Sequence, residues 1–119
     1  MSLESRLQTK LLLAAPARFP ALRLFRRNVG SAVMKGGYTV QFAIPGQADL
    51  YGIVRGTSKH LEIELKNVGE KLKPDQRTWA AWCAEWGIPH IVLTAMKDET
   101  DDQTIERWCG ELYLLLLKI

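Results

Sequence analysis

Two strand-like runs, residues 48–54 and 60–66, carry the side chains of this chain best suited to chemistry: Asp49, Glu64 and Lys66. Between the runs stands Arg55-Gly56-Thr57-Ser58, whose glycine suits a tight hairpin turn. A turn centred between Gly56 and Thr57 pairs residues whose numbers add to 113, whether the loop holds two residues or four. Asp49 then faces Glu64, and Tyr51 faces Glu62. Strand alternation puts Glu62, Glu64 and Lys66 on one face and Leu61, Ile63 and Leu65 on the other. Carboxylates opposed across a hairpin, with Cβ atoms roughly 5 Å apart, either repel or share a cation. Hard oxygen donors of this kind suit Mg²⁺ or Mn²⁺, which complete their shells with water and substrate phosphate oxygens.

Lys66 lies one same-face step beyond Glu64, roughly 6.6 Å along the strand. There its ammonium either stabilises negative charge developing on an attacked phosphate or, with its pKa depressed by the metal, takes a proton from water. The metal would polarise a phosphoryl oxygen and acidify its water. Without Asp49 in register, the same alternation of Glu62, Glu64 and Lys66 reads as an ordinary solvated strand face.

Positioning these groups requires a frame, and the remaining periodicities supply one. Leu3, Leu7, Leu11 and Ala14 recur at helical spacing after Ser2, a suitable N-cap, and Pro16 is expected to end that helix. Residues 22–27 and 38–42 alternate as strands, the second with Tyr38, Val40 and Phe42 on one face, and Gly30 and Gly36-Gly37 punctuate loops between them. Ile44-Pro45-Gly46 breaks the chain. Pro74 suits the first turn of a helix whose Trp79, Trp82, Cys83 and Trp86 form an apolar stripe. Aromatic residues at that spacing are expected to be core or interface, with a stacking surface for bases as the alternative. Gly87 and Pro89 end the helix, residues 90–95 suit a buried strand, and Thr100-Asp101-Asp102-Gln103 opens the last helix with a capping box. Ile105, Trp108, Cys109, Leu112, Leu115 and Leu116 give that helix its core face. The order of helix, several strands, helix, strand and helix predicts an α/β fold with a central sheet flanked by helices.

With 119 residues, 47% apolar and 24% charged, the chain suffices for one domain spanning residues 1–119 and excludes multidomain machinery. The net charge of +3 hides an asymmetry: residues 1–60 hold nine basic and two acidic residues, Glu4 and Asp49, whereas residues 61–119 hold seven and eleven. A basic half of this kind points to a polyanionic partner. Cys83 and Cys109 belong to no CxxC pair and read as reduced core residues, and His60 and His90 read as strand residues without ligand spacing. Leu11 to Ala17 imitates a signal peptide, but Glu4 sits in the would-be basic region and a helix explains the same residues. No stretch approaches the length of a membrane span, so a cytoplasmic protein is expected.

Asp49, fourteen residues and then Glu64-Leu65-Lys66 resembles the PD-(D/E)XK nuclease signature. Ile44-Pro45-Gly46-Gln47-Ala48-Asp49-Leu50, Glu62-Ile63-Glu64-Leu65-Lys66 and Lys71-Leu72-Lys73-Pro74-Asp75-Gln76-Arg77-Thr78-Trp79 together are similar to the VRR-NUC branch, in its small stand-alone phage and bacterial form. The resemblance runs from Arg26-Arg27-Asn28-Val29-Gly30 to about Ala95, with Ala48 where the motif has proline. It implies a restriction-endonuclease-like core and a metal-dependent DNA phosphodiesterase, with homodimers that resolve branched DNA such as four-way (Holliday) junctions. It makes Asp49, Glu64 and the Leu65 carbonyl the ligands of Mg²⁺ or Mn²⁺, and Lys66 the catalytic lysine. Gln76 matches the glutamine of the following helix, on the inward stripe three residues before Trp79. Glu4 corresponds to the first-helix glutamate; a solvent-facing carboxylate near a helix start is its alternative.

Arg26, Arg27, Asn28, Lys71 and Lys73 are the expected DNA contacts, with Arg23, Lys35 and Arg55 on the same basic surface; charge protecting an exposed sheet edge is the alternative for the arginines. A second copy is expected to supply the second cut through the leucine-rich last helix (residues 112–117) or the tryptophan helix, although intramolecular packing explains both equally. The rival functions are a non-catalytic DNA-binding module, a nuclease acting on flaps or ends, and a metal hydrolase of nucleotides.

Overall fold

Helix α1 (Leu3–Arg18) buries Leu7, Leu11 and Ala15, a stripe repeating every four residues. The chain then runs through β1 (Leu22–Arg26), β2 (Gly30–Val33), β3 (Thr39–Phe42), β4 (Leu50–Val54), β5 (His60–Asn67), α2 (Pro74–Glu85), β6 (His90–Ala95) and α3 (Asp101–Leu116). These elements come from a computed structural model, which describes residues 3–28 and 30–119, with the side chains of residues 30, 31, 41 and 42 outside that description. Ser2, the expected N-cap of α1, Val29 and the Phe42 side chain fall outside the described residues.

The fold is mixed α/β. A four-stranded sheet has the order β1-β4-β5-β6, antiparallel except for the parallel pair of β5 with β6, which α2 connects. Within the hairpin, Leu50 pairs with Ile63, Tyr51 with Glu62, Gly52 with Leu61 and Ile53 with His60. That is the register the turn at Gly56 and Thr57 dictates.

Two expectations give way. Pro16 lies inside α1 instead of ending it, and the helix continues to Arg18, with Phe19 N–H still bonded to the Ala15 carbonyl at 2.8 Å. A proline this close to the C-terminus forfeits one backbone bond, and Ala15 beneath it is fully buried, so packing carries the last turn. Gly30 and its neighbours, expected as loop, form β2, which pairs with β3 in a two-stranded sheet apart from the main one. The turn joining them uses Gly36 and Gly37, both at positive φ.

The two faces of the main sheet differ in kind. Leu61, Ile63 and Leu65 of β5 join Leu7 and Leu11 of α1, Leu22 and Leu24 of β1, Leu50 of β4, Leu93 of β6, and Trp108, Cys109 and Leu112 of α3 in one apolar core. Each fully buried leucine there contributes roughly 1.5–3 kcal/mol, so this face is the main source of stability. Gly52 belongs to it because a Cβ would stand 2.9 Å from Leu24 Cδ2 and 3.2 Å from Leu61 Cγ. The opposite face of β5 presents Glu62, Glu64 and Lys66, all buried. Unpartnered buried charges cost several kcal/mol each, so this row must be matched by other groups.

Two local devices place the helices over these faces. Thr100 accepts from Gln103 N–H at 3.2 Å and its own N–H donates to Gln103 Oε1 at 2.9 Å, the reciprocal capping box read from the sequence. Gly46 has φ +89°, and a Cβ there would lie 2.3 Å from the Asp75 carbonyl oxygen, so only glycine lets the 43–47 loop press on the first turn of α2. Among the described residues no helix is long and apolar enough to cross a membrane.

Candidate metal centre and its brace

Asp49 immediately precedes β4, where the hairpin ladder ends, and its Oδ2 accepts the Leu65 N–H at 2.8 Å. The amide that β4 no longer pairs is thus taken by the carboxylate, and this anchors Asp49 against the C-terminal half of β5. Because a strand residue directs its N–H and C=O to the same edge, the Leu65 carbonyl leaves β5 on the Asp49 side. Sequence reasoning had placed Asp49, Glu64 and the Leu65 carbonyl around one point, and the structure brings these three residues together.

Glu64 is 2% exposed, and its Oε2 has no hydrogen-bond partner among the described residues. Burial, then the adjacent Asp49 carboxylate, push the Glu64 carboxyl up to about 8, with Glu4 adding to the rise and the Lys66 ammonium opposing it. Lys66 Nζ stands 4.0 Å from Glu64 Oε1 and is itself 7% exposed. One ammonium does not offset the crowding of carboxylates.

Gln76, in the first turn of α2, is held from both ends of its amide. Its Oε1 accepts the Lys73 N–H at 2.9 Å, which leaves Nε2 to donate to Glu64 Oε1 at 3.2 Å. Glu4, half-buried in the first turn of α1, has its carboxyl raised by burial and then by the charges of Asp49 and Glu70, against Lys66 and Lys73. It therefore shares the field of this centre. Among the described residues no three carboxylate, imidazole or thiolate side chains form a complete ion cage. Two carboxylates, one with a buried unpartnered oxygen, and a backbone carbonyl are nonetheless a fitting donor set for a hard cation that keeps most of its water.

The other buried acid of β5 went unassigned in the sequence. Glu62 accepts from Arg27 Nη1 at 2.5 Å and Nη2 at 2.9 Å, from Trp79 Nε1 at 3.0 Å, and meets His60 Nε2 at 2.5 Å. Burial opposes its ionisation, yet the bonds from Arg27 and His60 prevail and hold its carboxyl below the usual range. Arg27 also donates to the Ala48 carbonyl at 3.1 Å and lies 4.9 Å from the Tyr51 ring centroid. Its backbone N–H bonds the Asp49 carbonyl at 2.8 Å. Arg27 is thus a correction to the expected DNA contacts: its guanidinium is 13% exposed and committed to Glu62, and it braces the segment that carries Asp49. The register that sets Tyr51 opposite Glu62 was the available signal; its arginine partner, 35 residues away in sequence, was not.

Arg26, Asn28, Lys71 and Lys73 are exposed. Arg26 donates to Thr9 Oγ1 of α1 at 3.4 Å, whereas Lys73 lies close enough to act on Glu4, so of these cations Lys73 borders the carboxylates. The tryptophan stripe divides: Trp79 is half-buried, whereas Trp82 and Trp86 are 40% and 67% exposed and are not core. Cys83 points inward and is fully buried. A hollow of about 480 Å³ is lined by Ile44, Pro45, Asp75, Thr78, Trp79 and Trp82. In α3, Leu112 is buried while Leu114 and Leu117 are exposed. No family model matches the chain, and no curated protein matches it.

Proposed function

We propose that this chain is a Mg²⁺- or Mn²⁺-dependent DNA endonuclease of the VRR-NUC type, built on a PD-(D/E)XK core and acting as a homodimer on branched DNA such as four-way junctions. The observation that carries the reading is the Asp49 and Glu64 pair: one carboxylate at the entry to β4 and one on β5, the latter 2% exposed with an oxygen unpartnered among the described residues and a carboxyl raised to about 8. A fold keeps such an arrangement at a cost in stability, and a divalent cation is the group that removes the cost. Asp49, Glu64 and the Leu65 carbonyl would hold it, and it would supply Lewis-acid activation of the phosphodiester and of the attacking water.

The chain's own residues do the rest. Lys66 holds a positive charge beside Glu64, where negative charge develops on the phosphate. Gln76, fixed by Lys73 N–H, keeps Glu64 in one orientation. Arg26, Asn28, Lys71 and Lys73 offer donors to the flanking phosphates. One site per chain cuts one strand, so paired cuts require a second copy.

The test is a panel of labelled four-way junction, flap, single-strand and duplex DNA with Mg²⁺, Mn²⁺ or EDTA. Cleavage with either metal and none in EDTA is expected, strongest on the junction, and Glu64→Ala should bind junctions without cutting. Binding without cleavage under every metal condition would instead identify a DNA-binding module. Preference for flaps or ends would keep the chemistry and replace the substrate.

A further inference from the structure

On the distal half of α2, Trp79, Trp82 and Trp86 stack in series, with ring centroids 4.9 Å and 5.5 Å apart and interplanar angles of 19° and 28°. The inner ring is tied down, since Trp79 Nε1 donates to the buried Glu62. The outer ring, Trp86, is 67% exposed, is propped on one side by Trp82, and lines a polar hollow of about 460 Å³ with Lys59, His60 and Lys118. Soluble proteins seldom expose a rigid indole ladder without a ligand for it. An aromatic face beside two lysines matches a nucleotide: the base extends the stack and the phosphate meets the ammonium groups.

We propose that Trp86, with Lys59 and Lys118, binds one unpaired nucleotide of a DNA strand whose phosphodiester lies at the Asp49 and Glu64 centre. Ten residue steps lead from Gln76 in the first turn of α2 to Trp86, its C-cap, about 15 Å at 1.5 Å per residue. That is a span of a few nucleotides of strand. Cations stand at both ends of this path, Lys71 and Lys73 before α2 and Lys59 and Lys118 beyond it, as a strand lying along the ladder requires. Stacking is tolerant of sequence, so the site selects for unpaired strand and not for a particular base.

This deepens the nuclease reading and rests on it for the role of the bound strand, but its test needs no cleavage. In EDTA, the full chain is titrated with a short oligothymidylate and, separately, with a duplex of equal length, following tryptophan fluorescence and anisotropy. The single strand is expected to quench fluorescence saturably; Trp86→Ala should weaken its binding about tenfold, Trp86→Phe should restore most of it, and duplex binding should change less than about twofold. Trp86 is exposed, so circular dichroism should show an unchanged fold. Equal affinity of Trp86→Ala and the parent chain for the single strand overturns the proposal, and so does a Trp86→Ala effect confined to self-association by light scattering. Single-strand binding without any metal-dependent cleavage would retain this site and overturn the nuclease reading alone.

Discussion

Gln76 reaches from the first turn of α2 to Glu64 on β5 with its nitrogen foremost, because its oxygen already holds the Lys73 N–H. One side chain therefore couples the start of a helix to the most perturbed carboxylate of the protein. Gln76→Ala removes both bonds, and with them about 1–2 kcal/mol of stability. Gln76→Glu keeps an acceptor for Lys73 but offers Glu64 no donor while ionised. Both variants should cut DNA at least about tenfold more slowly, whereas only Gln76→Ala should lower Tm at pH 6. Equal activity of Gln76→Glu and the parent chain would reduce Gln76 to a helix cap.

The Glu64 carboxyl, raised from 4.5 to about 8, makes stability depend on pH in a definite direction. Between those values the folded chain holds a proton that the unfolded chain has released, so the native state binds more protons and stability falls as pH rises. Glu4, raised for a similar reason, acts in the same sense. Metal-free protein should lose Tm progressively from about pH 5 to pH 9, and Glu64→Gln should flatten that decline. A divalent cation replaces the proton, so the rise in Tm on adding Mg²⁺ should grow with pH, and its binding near pH 7 should release protons to the buffer. Calorimetry in buffers of different ionisation enthalpy measures that release. A Mg²⁺ effect independent of pH would separate the metal from Glu64.

Arg27 and Arg26 are neighbours in sequence with opposite assignments. Arg27→Ala leaves Glu62 buried without its bidentate partner and should cost about 3–5 kcal/mol, visible as a large loss in urea midpoint. Arg26→Ala should leave stability within about 0.5 kcal/mol and lower the salt dependence of junction binding by about one unit of slope, as a lost phosphate contact does. Reversal of the two phenotypes would reinstate Arg27 as the DNA-facing residue.

Gly46 answers to both backbone angle and space. Gly46→Ala must accept φ near +89° and displace the Asp75 carbonyl, so it should destabilise by at least about 2 kcal/mol. Because the displaced turn carries Gln76, activity should fall further than the loss of folded protein explains, which a comparison of Tm with kcat at low temperature resolves.

Features that depend on spacing were readable in advance. The hairpin register that carries Asp49 up to Glu64, the polar row of β5, Pro74 at the head of α2 and the Thr100 capping box all follow from turn geometry, alternation or local hydrogen bonding. Features that depend on tertiary partners were not. Pro16 stays helical because Ala15 is packed, β2 exists through its pairing with β3, and Arg27 is withdrawn from the surface by Glu62. The tryptophans show the same limit: Gln76 and Cys83 face inward as their spacing reads, yet the shared period does not say that Trp82 and Trp86 are left outside.

The Asp49 bond to the Leu65 amide has one more consequence. A slip of one residue in the hairpin would set Asp49 against the apolar row of β5, where Leu61, Ile63 and Leu65 point, and would scatter the acids to opposite faces. The paired carboxylates thus work as a proofreader of strand alignment: a misaligned chain would hold its acids on opposite faces and have no place to concentrate a cation.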